Sequence, residues 1–513
     1  MASSNYKHGA SWSEESTRTS PVITADSGIS VAIGSAPVHM VRGGTKNVNK
    51  PLMFLTLQDA KTAVGWSNNW GRFDLCELIY SAFQRYRVSP IILINVFDPM
   101  RDSINMGTAA LAVTNKQVVL PFNDVIFDSV IVQIDDDGSK MSKSKAEASK
   151  ADKPASVRSR IPDTGRYYVL DRDYSLEYNK KGNLVITILP DGSIPQNTDG
   201  LLIAYSRIGS TPVTADDVIG GIDQHGRKTG IELIEEIHPR FNIVAGYLMA
   251  PAFSSNAPVL TALASKAELF DDSYRCMVVG DVDLSVVKKY QDAEAWKATN
   301  GLTSHRQILC YLRLGMGNKR FRFSVDYALR SAKLDATNGG VPYETASNKE
   351  LLADAMYDGD GNPAFLSKKE ANYLNSLGIV TGRSTRRGLV IWGSNTASFP
   401  GTPDVKDRFI PNRRQMDFIG NTVVTTFDNK IDKPGNRREI DAIINDINLW
   451  LADQQNSGYL LEYYVRFDHE ENPDSEILNG HYKVHIGEGS PTPIESLEFV
   501  LEFTTGGFDS LAD

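Results

Sequence analysis

The last fifty residues constrain this chain most. Three segments there alternate apolar and polar side chains. Leu461, Tyr463, Val465 and Phe467 share one face of the first, Tyr482, Val484 and Ile486 one face of the second, and Leu497, Phe499, Leu501 and Phe503 one face of the third. A period of two places alternate side chains on opposite faces of an extended strand, so the pattern predicts an antiparallel sheet with one buried face. The third segment lies almost at the end of the 513 residues, where a strand is easily donated to a neighbouring sheet. A helix precedes the three. Asn436 stands at its N-cap with Glu439 at capping-box spacing, Ile440, Ile443, Ile444, Ile447 and Leu451 trace one face, and Gly458 stops it.

Upstream the pattern is α/β. Ser30 to Ile33 reads as a short strand and residues 73–87 as an amphipathic helix through Leu75, Leu78, Ile79 and Phe83. The β-branched run IILINVF after Pro90 has the character of a buried strand. Strand, helix and strand in that order predict a layered α/β domain. Helices over 231–237 and 257–270 and strands over 243–249, 276–279 and 308–312 continue it. Between these halves lies a β-rich stretch, with strands at 167–170, 184–187 and 201–205 separated by turn signals. Within it, residues 135–160 mix Lys, Arg, Ser and acids with almost no apolar side chain, the composition of a solvated loop. The first 25 residues are polar and Ser/Thr-rich, which predicts either a frayed tail or an arm that orders on a partner.

Fifty-four basic against 63 acidic residues give a net charge of −9, which argues against nucleic acid as the main partner. Three scattered cysteines exclude a zinc ribbon or a disulfide framework and fit a reducing cytoplasm. The longest apolar run, near 90–97, is far short of a membrane span, and the N-terminus lacks the apolar core of a secretory signal, so neither export nor membrane insertion is expected.

Catalytic signals are weak. Gly221 to Gly226 approaches a phosphate-binding loop, but Arg227 displaces Lys228 and Thr229 by one position, and a plain turn into a helix is the better reading. Asp358 to Asn362 opens like a calcium loop, but Pro363 and Lys369 stand where Gly and Glu are needed. His481 and His485, four apart on a strand, would lie about 13 Å apart, too far for joint ligation, and read as an outer face. Cys76, Cys276 and Cys310 fall in apolar surroundings, as small buried hydrophobes do. No catalytic, cofactor-binding or metal-ligating residue is assigned, and no cofactor is expected.

Several short blocks, in order, carry a resemblance. Val31-Ala32-Ile33-Gly34-Ser35-Ala36 follows the polar arm, and residues 216–255 contain IGG, TGI and APAFSS. SNKEL (347–351), EANYLNSLGIVT (370–381), IWGSNTAS (391–398) and IPNRRQMDFI (410–419) follow, then the capped helix and the glycine-led closing strands of 480–503. Over 1–100 and 214–513 the chain resembles the contractile phage tail sheath proteins, a family also found in tailocins and contractile injection systems. It departs at Ala245, near which the family usually has Pro.

The resemblance implies an α+β multidomain fold with nested domains. An N-terminal arm (1–30) would join 376–513 in the inner domain, 31–100 with 214–375 would form a middle α/β domain, and 101–213 a β-rich outward insertion. The C-terminal antiparallel sheet and helix would donate terminal strands. It implies a structural subunit, not an enzyme: hexameric rings stacked around a tail tube, linked by strand exchange of both arms, contracting to drive the tube through the host envelope. The implied partners are further copies of itself, the tube protein, and baseplate and terminator proteins. The implied location is the virion tail, assembled in the host cytoplasm. Leu497, Phe499, Leu501 and Phe503 become the arm-strand interface. Lys430, Lys433, Arg437 and Arg438, with Arg413 and Arg414 nearby in sequence, become candidates to face the tube, because cations at a helix start oppose its dipole and invite an anionic partner. A headless bacteriocin or injection-system sheath is the alternative within the class. Outside it stands an enzyme with a diffuse carboxylate site at Asp216, Asp217 and Asp223.

Overall fold

The computed structural model describes residues 27–134 and 167–503. The N-terminal arm up to residue 26 and the basic loop of 135–160 therefore lie outside the described residues. Chain contacts divide the protein into two units, Asp26–Asn421 with Thr492–Asp513, and Met1–Ala25 with Thr422–Pro491.

An eight-stranded sheet organises the larger unit. Its strands run in the order Pro51–Phe54, Ile91–Asn95, Ser30–Gly34, Tyr247–Met249, Met277–Asp281, Gln307–Cys310, Ile379–Thr385 and Gly388–Trp392. The six inner strands pair in parallel and both edge strands are antiparallel. Every residue of Ser30–Gly34, Ile91–Asn95 and Met277–Asp281 is buried, which is why these runs read as continuously apolar and not alternating. The sheet takes in Ile379–Thr385 and Gly388–Trp392, beyond the expected 376 boundary.

Helices pack on this sheet. The expected helix of 73–87 is α-helical over Leu75–Tyr80 and then widens into a π turn, Ser81–Tyr86, ending at Arg87 with φ +56°. The expected helix at 231–237 is a 3-10 segment, Ile231–Glu236, continued by a short α-turn, Ile237–Phe241. The helix Ala257–Glu268 starts on Asn256, whose side chain accepts the Val259 N–H. Phe323–Thr337 has 11 of its 15 residues inside.

The insertion is β-rich, as expected. One sheet pairs Ile104–Ala112 with Gly200–Arg207 and Ile131–Gln133, and the other joins Gln117–Val119, Leu184–Ile188 and Tyr174–Tyr178. Val118, Leu120, Val132, Leu184, Ile186 and Ile203 fill the core between them. No strand forms at 167–170. The Val169 N–H is taken by the Asp173 carboxylate at 2.7 Å, and Asp171 adopts φ +66°, so the chain turns there.

In the smaller unit the helix Arg437–Asn456 precedes a two-stranded antiparallel sheet, Glu462–Arg466 with His485–Gly489, in which Val465 faces Ile486. Tyr463 and Val465 are half-buried between exposed Glu462, Tyr464 and Arg466, so the alternation holds over five residues. It fails at its ends: Leu461 is 68% exposed, and Val484 and Phe467 lie outside the strands.

Candidate functional site: an assembly surface

The third alternating segment joins no sheet of its own chain. After Gly489 the backbone through Phe503 forms no strand or helix, and Leu497, Phe499, Leu501 and Phe503 are 69–95% exposed. The expected three-stranded sheet with one buried face is thus two-stranded in the isolated chain. Ile494 and Val500 are exposed as well, on the side that also carries Ser496, Glu498 and Glu502. Exposed apolar runs of this size mark interaction surfaces.

The segment is held at its root. The Glu495 carboxylate pairs with Arg408 and accepts a 2.9 Å hydrogen bond from the Asn395 amide, while Arg408 Nε also donates to Asn395 Oδ1 at 3.1 Å. Arg408 itself lies against the Phe399 and Phe409 rings. Sequence reasoning did not single out Glu495, Asn395 or Arg408. The available signal was that Asn395 sits within the IWGSNTAS block and Arg408 just before IPNRR.

The capped helix begins where expected. Asn436 Oδ1 accepts the Glu439 N–H at 3.0 Å. The reciprocal half of the capping box is replaced: the Glu439 carboxylate takes the Lys430 ammonium at 2.6 Å, which keeps its pKa below the usual carboxylate range. Arg437 reaches Asp441 one turn on at 2.9 Å. The basic cluster thus supplies part of its own counter-charge. Lys433, Arg437 and Arg438 remain exposed, and Lys430 is half-buried. Arg413 and Arg414 do not belong with them. Both are buried: Arg413 lies between Asp407 and Asp417, and Arg414 is paired with Asp335 and hydrogen-bonded to Ser331 and to the Ser27 carbonyl. Adjacent arginines on a helix turn by 100°, yet here both directions point into the protein.

The ligand crevice of an open α/β sheet lies outside the carboxyl ends of the strands, where the strand order reverses. Here that point falls between Ser30–Gly34 and Tyr247–Met249, and the protein's own carboxylate fills it. Asp74, 1% exposed, accepts the Ser35 N–H and hydroxyl at 2.7 and 2.6 Å and the Ala252 N–H at 3.1 Å. A Cβ on Gly34 would stand 2.2 Å from its oxygen, so only glycine allows this approach. One strand over, Asp281 similarly ties Ser254 to Ser324.

The other motifs flagged in the sequence resolve into turns and pairs. Gly220–Ile222 and Lys228–Gly230 form a hairpin whose tip is knotted by Asp223 accepting from His225 N, Arg227 N and Arg227 Nε. Asp358 similarly holds the turn between Ala355–Tyr357 and Pro363–Ala364 through the Asp360 and Asn362 N–H groups. Asp217 caps the short helix Ala215–Ile219 and pairs with Arg101 at 2.5 Å, whereas Asp216 is exposed, so the three carboxylates serve separate local roles. His481 and His485 each face their own glutamate, Glu476 and Glu471, and His485 stacks on exposed Tyr464. Among the described residues no group of three or more His, Cys, Asp or Glu is arranged to hold a metal, and no helix is long and apolar enough to cross a membrane. All three cysteines are buried, and burial pushes the Cys76 thiol up to about 12.

Comparison with known proteins agrees with the sequence resemblance. The chain is 24% identical over 521 aligned residues to the tail sheath protein of Burkholderia phage BcepMu, covering 98% of this chain and 97% of that protein. A putative prophage major tail sheath protein of Pseudomonas aeruginosa is 24% identical over 303 residues, 56% of this chain and 73% of its own. No family model matches. Among solved structures, the helical sheath of the anti-feeding prophage in its contracted state superposes with a TM-score of 0.54 at 12% identity, over 98% of this chain and all of that one. The contracted sheath of the PVC extracellular contractile injection system gives 0.53 at 11% identity, over 99% and 100%. The α+β multidomain fold is the fold of contractile sheath subunits.

Proposed function

We propose that this chain is the structural subunit of a contractile tail sheath, and that its copies polymerise into a cylinder around a tail tube. One observation carries the reading: an apolar-alternating C-terminal segment, anchored at Glu495, keeps Leu497, Phe499 and Leu501 exposed in a chain that resembles a phage tail sheath protein over 98% of its length. Strand addition to a neighbouring copy covers it, with backbone hydrogen bonds supplying continuity and alternate side chains setting register. Burying Leu497, Phe499, Leu501 and Phe503 there contributes roughly 6–12 kcal/mol as an upper bound. The N-terminal arm enters the same exchange. Rings are hexameric, and contraction drives the tube through the host envelope while arms bend and domains move as rigid bodies. Full-length similarity to a phage tail sheath protein favours the virion over a headless particle.

Deleting residues 495–513 abolishes sheath polymerisation and leaves a folded monomer, as read by electron microscopy and circular dichroism. Normal cylinders from the truncated chain defeat the arm model. The exposed cations Lys433, Arg437 and Arg438, with Lys430, face the tube. Reversing charge at Arg437 and Arg438 weakens co-assembly of sheath with tube, measured by co-sedimentation, and unchanged co-sedimentation returns these residues to ordinary solvated charge.

A further inference from the structure

A small four-stranded antiparallel sheet stands apart from the surfaces above. Its strands are Lys319–Arg322, Arg313–Met316, Ala355–Tyr357 and Pro363–Ala364, in that order. Directly paired residues share a face, and the register sets Arg313 opposite both Arg322 and Tyr357, and Gly315 opposite Arg320. Leu314, Phe321 and Met356 occupy the other face and are buried. The sheet therefore presents a guanidinium-bearing face, and Arg313, Arg320, Arg322 and Tyr357 line a cleft of about 310 Å³ together with Trp70. Its floor is built for this: a Cβ on Gly315 would lie 2.3 Å from the Tyr357 ring, and Arg320 stacks 3.5 Å from that ring's centre.

The hydrogen-bonding account of this cleft does not close. Trp70 Nε1 and Arg322 Nε are both shielded from solvent, and neither has an acceptor. The Arg313 side chain has no ion pair or hydrogen bond among the described residues, and the Arg320 guanidinium hydrogen-bonds only to the Gly317 and Lys319 carbonyls. The two carboxylates in the cleft are already committed, Glu77 to the Arg322 guanidinium and backbone N–H, Asp358 to its own turn. Both unmet groups are N–H donors, and a buried donor without a partner costs stability. The missing component is an acceptor, and the two guanidinium groups without a carboxylate, Arg313 and Arg320, select a charged one.

We infer that this face is a binding site for an oxyanion, phosphate or carboxylate, held by Arg313 and Arg320 and hydrogen-bonded by Trp70 Nε1 and Arg322 Nε. The same chemistry is offered by a free anion and by an acidic side chain of a second copy of this chain, and the test separates them. Dispersed full-length protein is titrated with phosphate and with citrate against chloride at constant ionic strength, by calorimetry and thermal shift. Saturable binding is expected, weakened about tenfold by Arg313→Gln or Arg320→Gln. Trp70→Phe, which keeps a ring and removes the N–H, weakens it by a smaller factor. If the bound anion leaves assembly unaffected, the occupant is a free anion. If it slows assembly of the wild type but not of Arg313→Gln, the occupant is a neighbour's carboxylate. An equal response to chloride, or binding that none of the three variants alters, overturns the site. Because binding is read on dispersed chains, its failure is distinct from failure of the sheath reading.

Discussion

Two long helices meet opposite fates. Phe323–Thr337 buries 11 of its 15 residues, whereas Arg437–Asn456 buries three of 20, Ile447, Leu451 and Gln454. The first also brings charge inside and satisfies it: Asp326 meets Arg85 in a two-pronged pair, and Asp335 meets Arg414. The second leaves Ile440, Ile443 and Ile444 half-covered, Leu449 63% exposed, and precedes a sheet of two strands. Two strands with a half-covered face are marginal alone. Apart from its exposed closing segment, the larger unit therefore closes its core within one chain, whereas the smaller one leaves its helix and sheet half-covered.

The largest effect expected from this contrast lies in the larger unit. Arg414→Ala leaves the Asp335 carboxylate buried without its partner and costs about 3–5 kcal/mol in chemical denaturation. A loss below 1 kcal/mol would mean that the unit tolerates an uncompensated charge and is less closed than its burial implies.

Lys297 gives a pH signature of the same closure. It is 6% exposed, has no carboxylate, and donates to the Leu377 and Phe399 carbonyls. Burial lowers its pKa from the ordinary 10.5 to about 8. Between those values the unfolded chain binds more protons than the folded one, so this residue's contribution to stability rises with pH across the window. Relative to Lys297→Met, the wild type gains about 3 kcal/mol from pH 8 to 10.5 by denaturant titration. A flat difference sharpens the comparison the other way, placing water beside the ammonium.

The smallest effect is in the smaller unit. Asn436→Ala removes the N-cap of Arg437–Asn456 and costs about 1 kcal/mol, about a fivefold loss of hydrogen-exchange protection confined to that helix. Assembly into cylinders restores that protection if neighbouring copies complete the unit.

Much of the fold was legible because its signals are local. IILIN is too apolar to be anything but a buried strand, and Asn436 with Glu439 marks a helix start whatever lies around it. What failed was set by side-chain pairing that only the folded geometry decides. Nothing in 167–170 announces that Asp173 will take the Val169 amide. Arg413 and Arg414 read as surface charge until folding seats Arg413 between its near neighbours Asp407 and Asp417 and brings Asp335 from 79 residues away to Arg414. The closing segment lies between these cases. Its period of two was plain, but among the described residues it joins no strand.

The clasp of Glu495 on Arg408 and Asn395 fixes where that segment departs. Beyond it, residues 496–503 span about 26 Å when fully extended. On the proposed strand exchange each such segment is a stitch tied at its clasp, so the copy it enters stays tethered to that point however the cylinder twists or shortens.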